Sequence, residues 1–580
     1  MIPVSEARAK ILAGARLLPG EVVPVAAGLG RVLAEDLTAR VTQPPLAVSA
    51  MDGYAVRAAD VATVPATLEE IGRVPAGGAA TRGEQMATLA VIARDMIVSD
   101  DLARAVDVAK REVAHLPADD AGRRAVEQVG AAVAHHRKIP AALVRARTAL
   151  KARAGAVWVE ARRNSDFATF APYLAEHVRL ARELSAAIGY ETHPYDPLIA
   201  IYEPGETVES LEALFATLRG GLSPLVRAIG DLGEDTTDIM SRGYPAELQR
   251  EFGLKVSERF GYDLSRGRLD STTHPFEISF TRNDVRITTR YHEDNLVSAL
   301  QGVMHETGHG LYEQNVDPDY TRTALATDLI GLYAVGGVSF GAHESQSRLW
   351  ENHVGRSLRF WELTYPELVD TFPDQLADVP MEAFFRAFNR VRPDLIRVEA
   401  DELTYDFHIM LRVGLEKRLI EGSLEVTDLP EAWNEGMRTL LGVDPPEDRL
   451  GVLQDIHWSG GQFGSFCNYT IGNVMAAQLV EKARTDTAIV EALERGDYGP
   501  LRDFLSSHVA QHGRRFSRNE LLERATGRPL DPAPYVKYLT EKYSGLYGIE
   551  AVAAQFRRTN GSRVVDRRFG DRVRQAIRRA

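Results

Sequence analysis

From about residue 80 to 270, and again from about 292 to 545, apolar residues recur at the spacing of a helix face. Leu89, Ile92 with Ala93, and Ile97 form one such set. Pro117, Pro140 and the cluster Pro194, Pro197, Pro204-Gly205 mark breaks between helices. One segment has a different period. Val285, Ile287, Thr289 and Tyr291 alternate with Asp284, Arg286 and Arg290, which predicts a strand with one buried face. Such a chain must bury its core mainly between helices. With 580 residues it needs either several domains or one large helical body, and an apolar content of 44% is enough to fill it.

Charge and cysteine content narrow the function classes. Asp plus Glu number 81 against 68 Lys plus Arg, a net charge of −13, which is a poor match to nucleic acid. Cys467 is the single cysteine, so no intramolecular disulfide can form, and this fits a reducing compartment. The start Met-Ile-Pro-Val-Ser-Glu-Ala-Arg lacks the charged end and apolar run of a signal peptide. No apolar run reaches the roughly 18 residues of a membrane span. The expectation is a soluble, cytoplasmic protein with neither a nucleic-acid nor a membrane partner.

The chemistry concentrates in His305-Glu306-Thr307-Gly308-His309. Leu296, Val297, Leu300, Val303 and Met304 give the preceding turns a helical pattern, and histidines four apart on a helix share one face and can share a metal. Glu306 would sit beside that metal as general base toward the water it activates. A catalytic zinc needs a third protein ligand and an open position. In Gly341-Ala-His-Glu-Ser-Gln-Ser347 the preferred third ligand is Glu344, with His343 competing. A buried pair of structural histidines is the alternative. Gly308 and Gly310 each cost the helix roughly 1 kcal/mol, so a neighbouring backbone is expected to pack closely there.

Six motifs in order resemble the carboxypeptidase Taq family of metallopeptidases. They are His274-Pro275-Phe276, Asp284-Val-Arg286-Ile-Thr288, His305 to His309, and His343-Glu344-Ser345-Gln346. Ile396-Arg397-Val-Glu-Ala400-Asp401 and Gly451-Val-Leu-Gln454-Asp455-Ile-His457-Trp458 complete the set. The resemblance runs from about Pro75 to about Ile549. It implies a mainly helical body with a cleft and a small β-sheet. It also implies release of single residues from the free C-termini of peptides, one divalent metal per chain (zinc or cobalt), and a homodimer. By the same resemblance His305, His309 and Glu344 are the ligands and Glu306 the base. A carboxypeptidase must also grip a terminal carboxylate, and Arg397 and Arg286 are the candidates, with a structural ion pair to Asp284 or Asp401 as the competing role for each. His274, His457 and Tyr469 could donate to the oxyanion at the scissile carbonyl. Trp458 reads as core, and His135-His136 as surface.

Two departures stand out. The family's Phe-Pro-Ser/Thr-Tyr reads here Phe466-Cys467-Asn468-Tyr469. The first seventy-odd residues resemble instead the start of molybdopterin molybdotransferase, a short mixed α/β fragment. Val4-Ser-Glu-Ala-Arg-Ala-Lys-Ile-Leu, Leu29-Gly-Arg-Val-Leu-Ala-Glu-Asp36 and Ser49-Ala-Met-Asp-Gly-Tyr-Ala-Val56 carry that likeness. The expected organisation is a fragment over 1–78, a metallocarboxypeptidase domain over 79–549, and a tail over 550–580 with nine arginines. Two other functions compete with an active peptidase: a molybdenum-cofactor biosynthesis protein and an inactive relic.

Overall fold

The computed structural model describes residues 78–549 except 233–237, 273–274 and 334. The expected N-terminal fragment up to Gly77, the tail from Glu550 and the candidate His274 lie outside the described residues. The helices before the sheet are α1 (Ala79–Ile97), α2 (Asp100–Val113), α3 (Ala121–Lys138), α4 (Ala141–Asn164), α5 (Phe167–Ile188), α6 (Asp196–Tyr202), α7 (Val208–Gly230) and α8 (Ala246–Phe260). Strands β1 (Gly267–Ser271), β2 (Glu277–Thr281) and β3 (Asp284–Thr289) follow. Then come α9 (Leu296–Gln314), α10 (Phe340–Arg348), α11 (Leu358–Thr371), α12 (Pro373–Leu376), α13 (Met381–Phe388), α14 (Tyr405–Glu421), α15 (Leu429–Leu441), α16 (Cys467–Ala483), α17 (Thr487–Glu494), α18 (Gly499–His508), α19 (Arg518–Thr526) and α20 (Ala533–Tyr547). A π-helical segment, Leu349–Gly355, continues α10 without a break. No described helix is long and apolar enough to cross a membrane.

The mainly helical expectation with a small sheet matches this architecture. Pro140 stands immediately before α4 and Pro197 in the first turn of α6, as their fixed φ favours. The set Leu89, Ile92, Ala93, Ile97 does lie on one helix, α1, but Ile92 remains 51% exposed. Its period is helical without marking core. His135-His136, read as surface, requires correction at one position: His136 is buried, and its Nε2 meets the Leu329 carbonyl at 2.8 Å.

The expected strand is the centre of the sheet, whose order is β1-β3-β2. β3 runs parallel to β1, from Gly267↔Val285 to Ser271↔Thr289, and antiparallel to β2. Its alternation buries Val285, Ile287 and Thr289, while Tyr291 falls beyond its end. The buried residues pack on α9, the helix of the His-Glu-x-x-His motif.

α9 starts at Asn295, whose side chain accepts from the Ser298 amide at 3.1 Å. Leu296, Leu300, Val303, Met304 and Leu311 are buried around it, each such side chain stabilising the fold by about 1.5–3 kcal/mol. The cost of Gly308 is offset by the expected close approach. A Cβ there would lie 2.5 Å from both the Gln346 carbonyl oxygen and the Ser347 Cα, so α9 and α10 touch backbone to backbone. Behind α10, a Cβ on Gly472 of α16 would lie 2.6 Å from Cγ of Glu344. Two glycines thus set how deeply α10 seats between its neighbours.

Candidate active site

α9 and α10 bring the predicted ligands together. The Glu344 Oε2 atom lies 3.2 Å from His309 Nε2 and 3.7 Å from His305 Nε2. One donor atom from each of the three residues falls within 4.8 Å of the others, the one such group among the described residues. His343 does not join it. Its Nδ1 faces His309 Nδ1 at 2.6 Å, and its Nε2 faces Glu313 Oε1 at 2.7 Å. On the other histidine, His305 Nδ1 meets Glu351 Oε2 at 2.9 Å. Arg348 links the two carboxylates, donating through Nε to Glu344 at 2.8 Å and through Nη1 to Glu351 at 3.3 Å.

Burial decides the protonation states. It pulls His309 down to about 3, so this imidazole is neutral and offers a lone pair. For His305 burial acts downward too, but Glu344 and the bond to Glu351 outweigh it. Burial opposes the charge on Glu344, yet His305, Arg348 and His309 hold its carboxyl well below the usual range. Glu306 behaves differently. Burial pushes it up to about 8 and Glu344 and Glu351 push the same way, while His305 opposes. Its Oε2 is buried without a hydrogen-bond partner. A dication beside it would favour the ionised form.

These residues line one side of a cleft of about 450 Å³. Arg397, Tyr405, His457 and Tyr469 line it as well. Arg397 is buried and held on three counts: Nε donates to Asp455 at 2.9 Å, Nη1 to the Tyr405 hydroxyl at 2.8 Å, and its amide to Gln454 Oε1 at 2.9 Å. Its guanidinium lies 4.7 Å over the Tyr469 ring. Asp455 is shared with Arg412, whose Nε donates to it at 2.6 Å. The structural ion pair of Arg397 is therefore with Asp455, not Asp401. His457 Nε2 meets the Tyr469 hydroxyl at 3.1 Å. Tyr405 joins the two halves of the site, because Arg348 stacks on its ring at 4.1 Å while Arg397 bonds its hydroxyl.

Arg286 requires correction. It does not line the cleft. Its fork closes on Asp284 at 2.8 and 3.0 Å, and its guanidinium covers Phe280 at 5.1 Å. Residues two apart on a strand share a face, so the alternation itself pairs Asp284 with Arg286. Trp458 is core as expected, with Nε1 donating to Glu416 at 2.7 Å. Sequence reading missed Glu351, Arg348, Glu313 and Tyr405 as parts of the site. Glu344, Arg348 and Glu351 stand at i, i+4 and i+7, a one-face spacing that marks the first two omissions. Glu313 stands four residues after His309 on the same helix.

The donor set fits a divalent cation. Two imidazole Nε2 atoms and a carboxylate converge, both histidines are held from behind, and Glu306 carries an unpartnered oxygen beside them. Residues 54–543 match the family model of the carboxypeptidase Taq (M32) metallopeptidases. The match opens 21 residues ahead of the Pro75 boundary expected from the motifs. Carboxypeptidase 1 of Bacillus subtilis is 38% identical over 475 residues, 82% of this chain and 93% of that protein. Thermostable carboxypeptidase 1 of Thermus thermophilus is 40% identical over 488 residues, with the same two shares. The crystal structure of the M32 carboxypeptidase from Deinococcus radiodurans R1 superposes with a TM-score of 0.75 at 39% identity, covering 82% of this chain and 94% of that one. With its motifs, fold and site in agreement, the chain belongs to the carboxypeptidase Taq (M32) family and is a peptide hydrolase of the metallocarboxypeptidase class.

Proposed function

We propose that the chain removes single residues from the free C-termini of peptides, with Glu306 as general base and Arg397 as the anchor of the terminal carboxylate. The observation that carries this reading is the buried, unpartnered Oε2 of Glu306 beside His305, His309 and Glu344. A zinc or cobalt ion held by those three residues would supply Lewis acidity, lowering the pKa of a water and polarising the peptide carbonyl. Glu306 takes the proton of the attacking water and returns it to the leaving amine. Tyr469, its hydroxyl paired with His457 Nε2 on the cleft wall, would donate to the oxyanion developing on the carbonyl, with His457 orienting that hydroxyl. Asp455 and Tyr405 fix the guanidinium of Arg397, so the terminal carboxylate meets a pre-set cation.

The test is hydrolysis of N-blocked peptides with free and with amidated C-termini, before and after metal removal. Free peptides should shorten one residue at a time, amidated ones should resist, and chelation should stop turnover. Equal cleavage of both would instead identify an endopeptidase. We also propose a homodimer in the cytoplasm. Light scattering on the purified chain should give the mass of two chains. For residues 1–74 the motif Ser49 to Val56 supports a molybdotransferase-derived fragment. Rescue of a molybdotransferase-deficient strain, lost with Asp52→Ala, would give that fragment a function of its own.

A further inference from the structure

The two histidines of the site are supported differently. His305 meets a carboxylate directly, through Glu351. His309 meets another histidine, and the carboxylate Glu313 stands one step further back. We infer that Glu313 and His343 form a tautomer relay that selects the ligating form of His309. The inference rests on the metal-site reading above.

The argument is one of donors and acceptors. Glu313 also receives the Gly336 amide at 2.9 Å on the oxygen that faces His343, so that oxygen is an acceptor. His343 must therefore present N–H at Nε2. A neutral imidazole carries one N–H only, so His343 Nδ1 is left as an acceptor. The 2.6 Å contact between the two Nδ1 atoms then requires N–H on the His309 side. With its proton on Nδ1, His309 keeps a lone pair on Nε2, the atom that faces Glu344. The opposite arrangement, with His343 doubly protonated and the His309 proton on Nε2, leaves nothing to bind a cation. The relay is buried: Glu313 is 5% and His343 7% exposed, and Tyr312 lies nearly parallel to the His343 ring at 5.0 Å. The Gly336 amide ties the loop before α10 into the same carboxylate. Glu313 and His343 are thus positioning residues, acting on a cation through His309 alone.

The test titrates cobalt(II) into the metal-free full chain, with affinity read by chelator competition and coordination by the visible spectrum. Four variants separate proton placement from simple packing: Glu313→Leu, Glu313→Gln, His343→Phe and His343→Asn. The leucine and phenylalanine variants remove an acceptor, whereas glutamine and asparagine keep an oxygen where one is needed. The expected losses of cobalt affinity are 10–100-fold for the first kind and about threefold or less for the second. If Glu313→Leu or His343→Phe fails to fold, the conservative member of that pair decides. Equal loss in Glu313→Gln and Glu313→Leu, unchanged cobalt binding in His343→Phe, or a 10–100-fold loss in either conservative variant overturns the relay. A parent chain that binds no cobalt overturns the metal site itself, a result separate from all of these.

Discussion

Two buried charged groups meet the cleft, one through Arg397 and the other through Glu306, and they are partnered in opposite ways. Around Asp455 both carboxylate oxygens are partnered, one by Arg397 and the other by Arg412, and Gln454 Oε1 accepts from both arginines. Around Glu306 the matching is incomplete, with one carboxylate oxygen buried and unpartnered. A buried polar atom left without a partner costs about 1–3 kcal/mol, more when charged. The first cluster therefore holds a cation still, and the second keeps a base available. Tyr405, touched by Arg348 on one side and Arg397 on the other, sets the distance between them.

The largest effect should come from filling the incomplete side. Glu306→Gln keeps the shape and removes the base, and turnover should fall by 10²–10⁴-fold while metal content per chain stays unchanged. Loss of metal along with activity would show that Glu306 supports the ligands and would erase the contrast. Next, Asp455→Ala strips the matched side of its anion and leaves Arg397 and Arg412 buried without it. Unfolding should become easier by about 3–5 kcal/mol, read by denaturant titration. The pH dependence carries the same information. Burial opposes the charge of Asp455, but Arg412 and Arg397 hold its carboxyl well below the usual aspartate range. Its contribution is thus present above the unfolded pKa of about 4 and lost as pH falls below it toward the folded value. Asp455→Asn should flatten that acid loss of stability, and an unchanged slope would assign it to other carboxyls.

A smaller effect is expected behind the ligands. Glu351→Ala releases His305 Nδ1, and affinity for zinc should drop by roughly 10–100-fold in a chelator competition. The smallest belongs to Arg286→Ala. Its fork meets Asp284 away from the cleft, and this partly exposed pair contributes about 0–1 kcal/mol, so kcat/KM should stay near the parent value. A large fall in kcat/KM would return Arg286 to the substrate.

What the sequence disclosed of the site follows the reach of each contact. His305, Glu306 and His309 lie within one helical turn, so spacing alone set their geometry. β3 was legible because its alternation is local. β1 and β2 are short, and β1 joins β3 by a parallel pairing between residues far apart in the chain, which no local period reveals. Arg397 was legible as a candidate, but its partner Asp455 lies 58 residues away and only the folded chain selects it over Asp401. Two roles stood open for Arg286, and the one the fold forms is the local one, the pair with Asp284: residues 284 and 286 of one strand share a face. The burial of His136 was hidden, because its partner Leu329 is 193 residues distant.

The π-helical segment behind α10 has a consequence for chain length. A π turn is an α-helix carrying one additional residue. Glu351 lies inside this widened turn, and the segment closes at Gly355, where a Cβ would lie 2.1 Å from the Met304 sulfur. Deleting one residue between 349 and 355 would regularise the helix and spare its backbone hydrogen bonds. Where the lost residue is Leu349 or Trp350, the deletion would also move Glu351 by about 100° around the helix, a single step of the 3.6-residue turn, and carry it away from His305. At this point in the chain, register is the inherited quantity: a mutation that shortens the gene by one codon would be milder for the helix than for the histidine it serves.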